Sequence, residues 1–192
     1  MDLVSRSVRG APLFGMVADS GMLTRLGVEA GIDFLLCLSA GCFRNQGAAG
    51  LAPFLPFANV NDLTEEWLHR QVLPRAGGTA VYCGVLAGDP TAEQSERLAR
   101  LKRLGVAGVV NYPSVTLLDG SFRQIFEEEG STMTAKLELL QQARQAGLST
   151  LGFVGPDAEA ARQFAAAGLT ALVLTPGLTR EFEDIQIGRA HV

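Results

Sequence analysis

Short apolar runs recur along the chain, and each gap between them is long enough for a helix. The runs consist mostly of Val, Leu, Phe and Ala without polar alternation, and they cover 13–18, 34–38, 80–86, 108–112, 150–154 and 171–174. Unbroken apolar runs are typical of strands that are buried on both faces, as in a parallel sheet covered by helices. The pattern therefore predicts an α/β domain with parallel strands in sequential order and right-handed helical crossovers.

Amphipathic segments between the runs predict helices over 62–75, 91–104, 132–146 and 157–167. The first two begin with possible capping boxes at Asp62 and Thr91. Several helical segments end in glycine, which adopts the left-handed conformation that stops a helix, and a strand follows closely each time; these glycines are Gly31, Gly105, Gly147 and Gly168. Such short turns define one end of a barrel or of an open sheet, and periodicity alone does not decide between the two.

The connections that follow the second and fourth predicted strands, 39–61 and 113–131, are long. In parallel α/β proteins, ligands bind where these connections meet the carboxyl ends of the strands. Candidate functional residues are therefore sought at that end.

Composition excludes several classes of function. The formal charge is −4 without a Lys/Arg run, so nothing favours nucleic acid as a partner. No stretch approaches the roughly 18 apolar residues of a membrane span, and the N-terminus does not resemble a signal peptide. The three cysteines form an odd set that fits reduced thiols, and the two histidines lie far apart. We expect a cytoplasmic protein without a membrane partner.

Three ordered loop motifs carry a family resemblance. They are LSAGCFRNQG at 38–47 with GLAPF at 50–54, GVLAGDP at 84–90, and NYPSVTLLDGSFR at 111–123. In sequence and spacing they are similar to motifs of the phosphoenolpyruvate hydrolase-like TIM-barrel family, which is related to the barrel of tobamovirus-resistance proteins. The sequence departs from the family pattern at Ser39, Ala40 and Cys42. The loss of an arginine at Cys42 weakens any inference of a shared substrate.

The resemblance implies a (β/α)₈ TIM barrel, of which about six βα units, residues 1–185, are expected here. Six strands do not close an eight-stranded barrel, so two open sheet edges are expected. The final hexapeptide, IGRAHV at 187–192, breaks the preceding pattern and is a translation of a common sequencing adaptor. We interpret 186–192 as a non-native tail, and a natural C-terminal tail is the alternative.

Polar residues that follow the predicted strands are the site candidates. Asp19 and Asp89 are expected to act as general bases or to hold a divalent cation, so Mg²⁺ is a candidate cofactor. Arg44 is the expected anion binder, because a guanidinium grips a carboxylate or phosphate with two parallel hydrogen bonds. The expected substrate-binding set is Ser39, Gly41, Arg44, Gly47, Asn111 and Thr175. Helix entry remains an alternative role for Asp89.

Two functional hypotheses follow from the resemblance and these candidates. The first is a hydrolase or lyase of the phosphoenolpyruvate type that acts on a small phosphorylated or carboxylated molecule. The second is a non-catalytic barrel for ligand sensing, signal transduction or assembly, because the sequence contains no nucleophile–base pair. Either hypothesis allows a homo-oligomer. Asp119 and Gly120 are expected to form a tight turn, and the segment around Arg123 is expected to form a lid or a subunit contact.

Overall fold

Six parallel strands form one sheet in the order in which they occur along the chain. The computed structural model describes residues 12–48 and 50–178. The strands are β1 (Gly15–Val17), β2 (Phe34–Cys37), β3 (Ala80–Gly84), β4 (Gly108–Val110), β5 (Ser149–Val154) and β6 (Ala171–Leu174). The predicted fold class, an incomplete (β/α)₈ barrel, is confirmed.

Helices cover the outside of this sheet and also occupy the two long connections. They are α1 (Gly21–Glu29), α2 (Ser39–Arg44), α3 (Val60–Trp67), α4 (Gln94–Leu104), α5 (Gly120–Glu128), α6 (Met133–Gln145) and α7 (Ala158–Ala166). The chain continues beyond α3 through a π-helical turn, Leu68–Val72, and a 3₁₀ turn, Leu73–Arg75. The helices α2 and α5 were not predicted, and Gly120 begins α5 where a tight turn was expected.

The predicted capping boxes at Asp62 and Thr91 are wrong. Asn59 caps α3 by accepting hydrogen bonds from the backbone N–H groups of Asn61 and Asp62. Helix α4 begins only at Gln94, after Glu93, and has no side-chain cap. Both side chains are used elsewhere, because Thr91 donates to Asp89 at 2.6 Å and Asp62 accepts from a buried arginine.

The helix-ending glycines take the predicted left-handed conformation. The φ angles of Gly31, Gly105, Gly147 and Gly168 are +81°, +84°, +79° and +66°. Each of them precedes a strand, so the short turns gather at the amino end of the sheet. The long connections, together with α2 and α5, therefore lie at the opposite end, which we call the mouth.

Two hydrophobic clusters lie on the two faces of the sheet. The larger packs the outward side chains of the strands, such as Leu35 and Val109, against the helices, where Leu98 and Phe164 are fully buried. The smaller lines the concave face with inward side chains; it includes Val17, Leu36, Tyr82, Val110, Tyr112, Leu151, Phe153 and Val173. The concave face is therefore a packed interior that ends at the mouth.

Strands β1 and β6 form the two edges of the sheet in the part of the chain that the structure describes. Large apolar side chains are exposed there, with Phe14 67% and Leu174 69% accessible. Among the described helices, none has the length and apolar character needed to cross a membrane. The proposed tail, 186–192, lies outside the described residues.

Candidate functional site at the mouth

Asp19 and Arg44, two of the predicted site residues, form a bidentate ion pair at the mouth. Asp19 lies two residues beyond β1 and continues the inward alternation of Val17. Arg44 Nε donates to Oδ2 and Nη2 donates to Oδ1, both at 3.0 Å. The hydrogen bond to Asp19 raises the pKa of Arg44. The expected anion binder is therefore already paired with the expected base.

The short helix α2 brings Arg44 to the end of β1. Gly41 lies directly against Asp19, because a Cβ atom at this position would be 2.4 Å from Asp19 Oδ1. Asn45 also donates to the backbone oxygen of Asp19. Gly47, with φ of +80°, ends this helical segment and donates from its N–H to the backbone oxygen of Arg44 at 2.9 Å. In this structure, both glycines shape the segment that holds the ion pair.

Tyr112 is a third residue of this site, and sequence reasoning did not identify it. It lies two residues beyond β4, and its side chain is buried in the inward cluster, with its ring 5.1 Å from that of Phe153. Burial raises the pKa of Tyr112 to about 12, and its hydroxyl also interacts electrostatically with Arg44 and Asp19. The inward alternation Gly108, Val110, Tyr112 was the available sequence signal.

Ser39 provides an unsatisfied polar atom at the same end of the sheet. It is the first residue of α2 and is only 1% exposed. Its buried Oγ has no hydrogen-bond partner among the described residues. A buried hydroxyl without a partner destabilises the folded state by about 1–3 kcal/mol, because it has given up its hydrogen bonds to water. Ser39 is therefore compatible with its predicted role as a ligand contact.

Asn111 and Thr175 have local partners in the structure. Asn111 Nδ2 donates to the backbone oxygen of Phe153 at 3.1 Å, and its Oδ1 accepts from the N–H of Phe153 at 2.6 Å. This amide fastens the end of β4 to β5. Thr175 Oγ1 donates to the backbone oxygen of Gly177 at 3.4 Å. The ligand contacts expected of Asn111 and Thr175 stay predictions.

Asp89 lies in a separate polar cluster beyond β3. Its carboxylate accepts hydrogen bonds from Asn59, Asn61 and both the N–H and the hydroxyl of Thr91. Burial by itself raises the pKa of Asp89, but the hydrogen bonds from Thr91, Asn61 and Asn59 together outweigh it and lower the pKa to about 2. This environment fits a permanently ionised structural carboxylate better than a general base.

The buried guanidinium of Arg97 joins Asp89 to two carboxylates of α3. Arg97 is 2% exposed, and its Nη2 donates to Asp89 at 3.0 Å and to Asp62 at 3.2 Å, while Nη1 also donates to Glu65. Sequence reasoning missed this residue, which looked like one of several charges on an amphipathic helix. No described hydrogen bond or ion pair links this cluster to Asp19 and Arg44.

The described residues do not fit the predicted magnesium ion. No three His, Cys, Asp or Glu side chains converge in the described part of the chain. Both oxygens of Asp19 are bound by Arg44, and those of Asp89 are bound by amides, Thr91 and Arg97. A divalent cation prefers several free oxygen ligands. We therefore derive no chemical step through a metal.

The three cysteines are buried, and none has the properties of an activated nucleophile. Burial raises the pKa of Cys42 to about 12, and it also raises the pKa of Cys37 and of Cys83. A reactive thiol needs a lowered pKa and access to solvent. Acid–base or anion chemistry around the ion pair therefore depends on Asp19, Arg44, Tyr112 and Ser39 rather than on a thiol.

A family model described as phosphoenolpyruvate hydrolase-like matches residues 1–190. The chain belongs to this family. Among curated proteins, the ToMV resistance protein Tm-1 of Solanum lycopersicum is 35% identical over 171 residues. That match covers 89% of this chain but only 22% of the relative, so the chain spans about a fifth of the relative's length.

Solved structures with a similar fold include a phosphomutase and a hydrolase. A phosphoenolpyruvate phosphomutase from Streptomyces platensis subsp. rosaceus has a TM-score of 0.60 at 18% identity, covering 89% of this chain and 62% of its own. A phosphonopyruvate hydrolase in complex with oxalate and Mg²⁺ has a TM-score of 0.59 at 13% identity, covering 90% of this chain and 61% of its own. At such low identity, these two structures support only the fold of this chain.

Proposed function

We propose that the mouth binds a small carboxylate or phosphate-like anion through Arg44 and that Asp19 acts as the general base. The observation that carries this proposal is the bidentate pairing of Arg44 with Asp19 at the carboxyl ends of the strands. Only Nε and Nη2 make hydrogen bonds to the described residues, and the side chain of Arg44 is 43% exposed. The Nη1 group remains for a ligand, and the buried hydroxyl of Ser39, at the same end of the sheet, has no hydrogen-bond partner among the described residues.

The ion pair also allows the ligand to change the partners of Asp19. A bound anion competes with Asp19 for the guanidinium of Arg44. The carboxylate released from Arg44 can then accept a proton from the ligand or from water. The hydroxyl of Tyr112, which interacts electrostatically with both residues of the pair, is a further candidate to donate a hydrogen bond to the same ligand.

The family and its structural neighbours support the choice of ligand. The family name refers to phosphoenolpyruvate, and the phosphonopyruvate hydrolase neighbour was solved with oxalate, a dicarboxylate. We propose a hydrolase- or lyase-type reaction on a small phosphorylated or carboxylated compound. The cytoplasmic location, the absence of nucleic-acid partners and a homo-oligomeric state remain predictions.

A non-catalytic sensing or signal-transduction barrel is the second candidate. The environment of Asp89, the second predicted catalytic carboxylate, favours this candidate. Its oxygens already accept hydrogen bonds from two asparagine amides, Thr91 and Arg97. Of the two predicted catalytic carboxylates, Asp19 then remains as the acid–base candidate, and in this structure both of its oxygens accept hydrogen bonds from Arg44. A sensing barrel is expected to bind the anion through Arg44 without turning it over.

The proposal is tested by measuring binding and, separately, turnover. Oxalate is titrated into the full-length protein by calorimetry. We expect both the wild type and Asp19→Asn to bind oxalate, because both keep Arg44, and only the wild type to turn over a substrate. Turnover by Asp19→Asn at the wild-type rate would contradict the role of Asp19 as a base. Phosphate release from phosphoenolpyruvate, with and without Mg²⁺, then separates the enzyme from the sensor.

A further inference from the structure

A cavity opens at the mouth between the long connections of the chain. It has a volume of about 380 Å³, within the range of small-molecule sites. Its walls come from the connections that follow β2, β3 and β4 and include Pro53, Phe54, Leu55, Pro113 and Phe126. The rings of Phe54 and Phe126 meet edge to face at 5.8 Å. Most of the lining is therefore apolar and held by packed rings.

The polar side chains of this cavity are already satisfied by one another. Asn59 Nδ2 donates to Asp89 at 3.1 Å and to Thr91 Oγ1 at 2.8 Å, and the Thr91 hydroxyl donates to Asp89. Asn59 Oδ1 accepts the N–H groups that cap α3. A polar ligand group entering the cavity would lose its water without gaining a free partner, which is unfavourable. The cavity therefore suits an apolar group.

Residues next to Tyr112 and Arg44 in the chain line this cavity or pack against its walls. Pro113, in the cavity wall, directly follows Tyr112. Phe43, directly before Arg44, packs in one cluster with Val60 and Leu86, and those two residues line the cavity. The proposed anion site and the apolar cavity therefore share the same supporting loops at the same end of the strands.

We propose that this cavity is the subsite for the uncharged part of the ligand. The inference rests on the proposed function, and it narrows the substrate class to small carboxylates or phosphonates that carry a phenyl or branched alkyl group. Arg44 holds the charged end, and the walls formed by Phe54, Pro113 and Phe126 bury the apolar end. Burial of apolar surface in a preformed cavity supplies affinity that a bare anion lacks.

The test compares phenylpyruvate with pyruvate, which share the 2-oxocarboxylate and differ by the phenyl group. Calorimetry on the full-length wild type is expected to show at least about tenfold tighter binding of phenylpyruvate. Ala58→Trp fills the cavity from an exposed position in its wall and is expected to reduce this ratio to near one. Ala166→Trp, the matched control, makes the same change at an exposed position of α7 outside the lining and should keep the ratio.

Each alternative result has a separate meaning. If both compounds bind with dependence on Arg44 but with equal affinity, the apolar subsite is contradicted and the proposed anion site stands. If the ratio survives in Ala58→Trp, the phenyl group lies elsewhere and the subsite is likewise contradicted. If neither compound binds, the proposed function fails, and this inference fails with it.

Discussion

Replacing the buried guanidinium of Arg97 is expected to destabilise the fold strongly. Arg97 is 2% exposed and donates to Asp89 and Asp62 at 3.0 and 3.2 Å, and also to Glu65. The substitution Arg97→Met keeps much of the side-chain length and removes the charge. Asp89 and Glu65, whose side chains are 7% and 15% exposed, then lose their buried counter-ion.

The magnitude follows from the burial of these partners. Breaking a buried ion pair by removing one member costs about 3–5 kcal/mol, because the remaining charge is uncompensated. Asp89 keeps its hydrogen bonds from Asn59, Asn61 and Thr91, so we expect the lower part of that range, about 3 kcal/mol. Asp62 is 68% exposed and contributes little.

Urea unfolding of the full-length protein at pH 7 measures this loss. Arg100→Met is the matched control, since Arg100 also pairs with Glu65, at 2.9 Å, but is 41% exposed and should cost about 0–1 kcal/mol. The double variant Arg97→Met with Asp89→Asn should recover part of the loss, because it leaves one fewer buried charge. A loss for Arg97→Met equal to that of Arg100→Met would refute the reasoning.

Three further predictions concern ionisation and the sheet edges. Burial lowers the pKa of Lys136 from 10.5 to about 8. Between these two values the unfolded chain binds more protons than the folded chain, so the melting temperature should rise with pH from 8 to 10. The rise should be flatter for Lys136→Met, and an equal rise in both proteins would contradict this. The lowered pKa of Asp89, about 2 against 3.8, should make stability fall as pH drops from about 4 to 2, and Asp89→Asn should remove that step in acid titrations followed by circular dichroism. The β1 and β6 edges expose Phe14 and Leu174, so the 192-residue chain should self-associate or aggregate in sedimentation experiments. A monodisperse monomer with a sharp melting transition would be inconsistent with open edges.

The strands and the helix ends were predictable because they depend on local chemistry. Unbroken apolar runs such as Phe34–Cys37 are typical of strands buried on both faces, and glycines such as Gly105 adopt a conformation that other residues avoid. The helices α2 and α5 were not predicted from the sequence. Helix α2 is short and contains a glycine, and α5 begins at an Asp-Gly pair that is typical of turns. Their position depends on packing across the mouth.

The sequence predicted which residues belong to the candidate site more readily than it predicted which side chains they contact. Strand ends indicated Asp19 and Ser39, and the family motif indicated Arg44. The ion pair joins residues 25 positions apart on separate elements, and no local pattern specifies such a contact. For the same reason the sequence did not reveal that Arg97, one charge on an amphipathic helix, holds Asp89 in a different cluster.

Calorimetric titration of oxalate into the full-length wild type, Arg44→Ala and Arg123→Ala tests the central claim most directly. Arg123 is the control because it also lies at the mouth and pairs with carboxylates, Glu127 at 2.8 Å and Asp157 at 2.9 Å. We predict that Arg44→Ala weakens binding by about 1.5–3 kcal/mol, as expected for a lost hydrogen bond to a charged group, and that Arg123→Ala weakens it less. Equal affinity in the wild type and in Arg44→Ala would contradict the anion site.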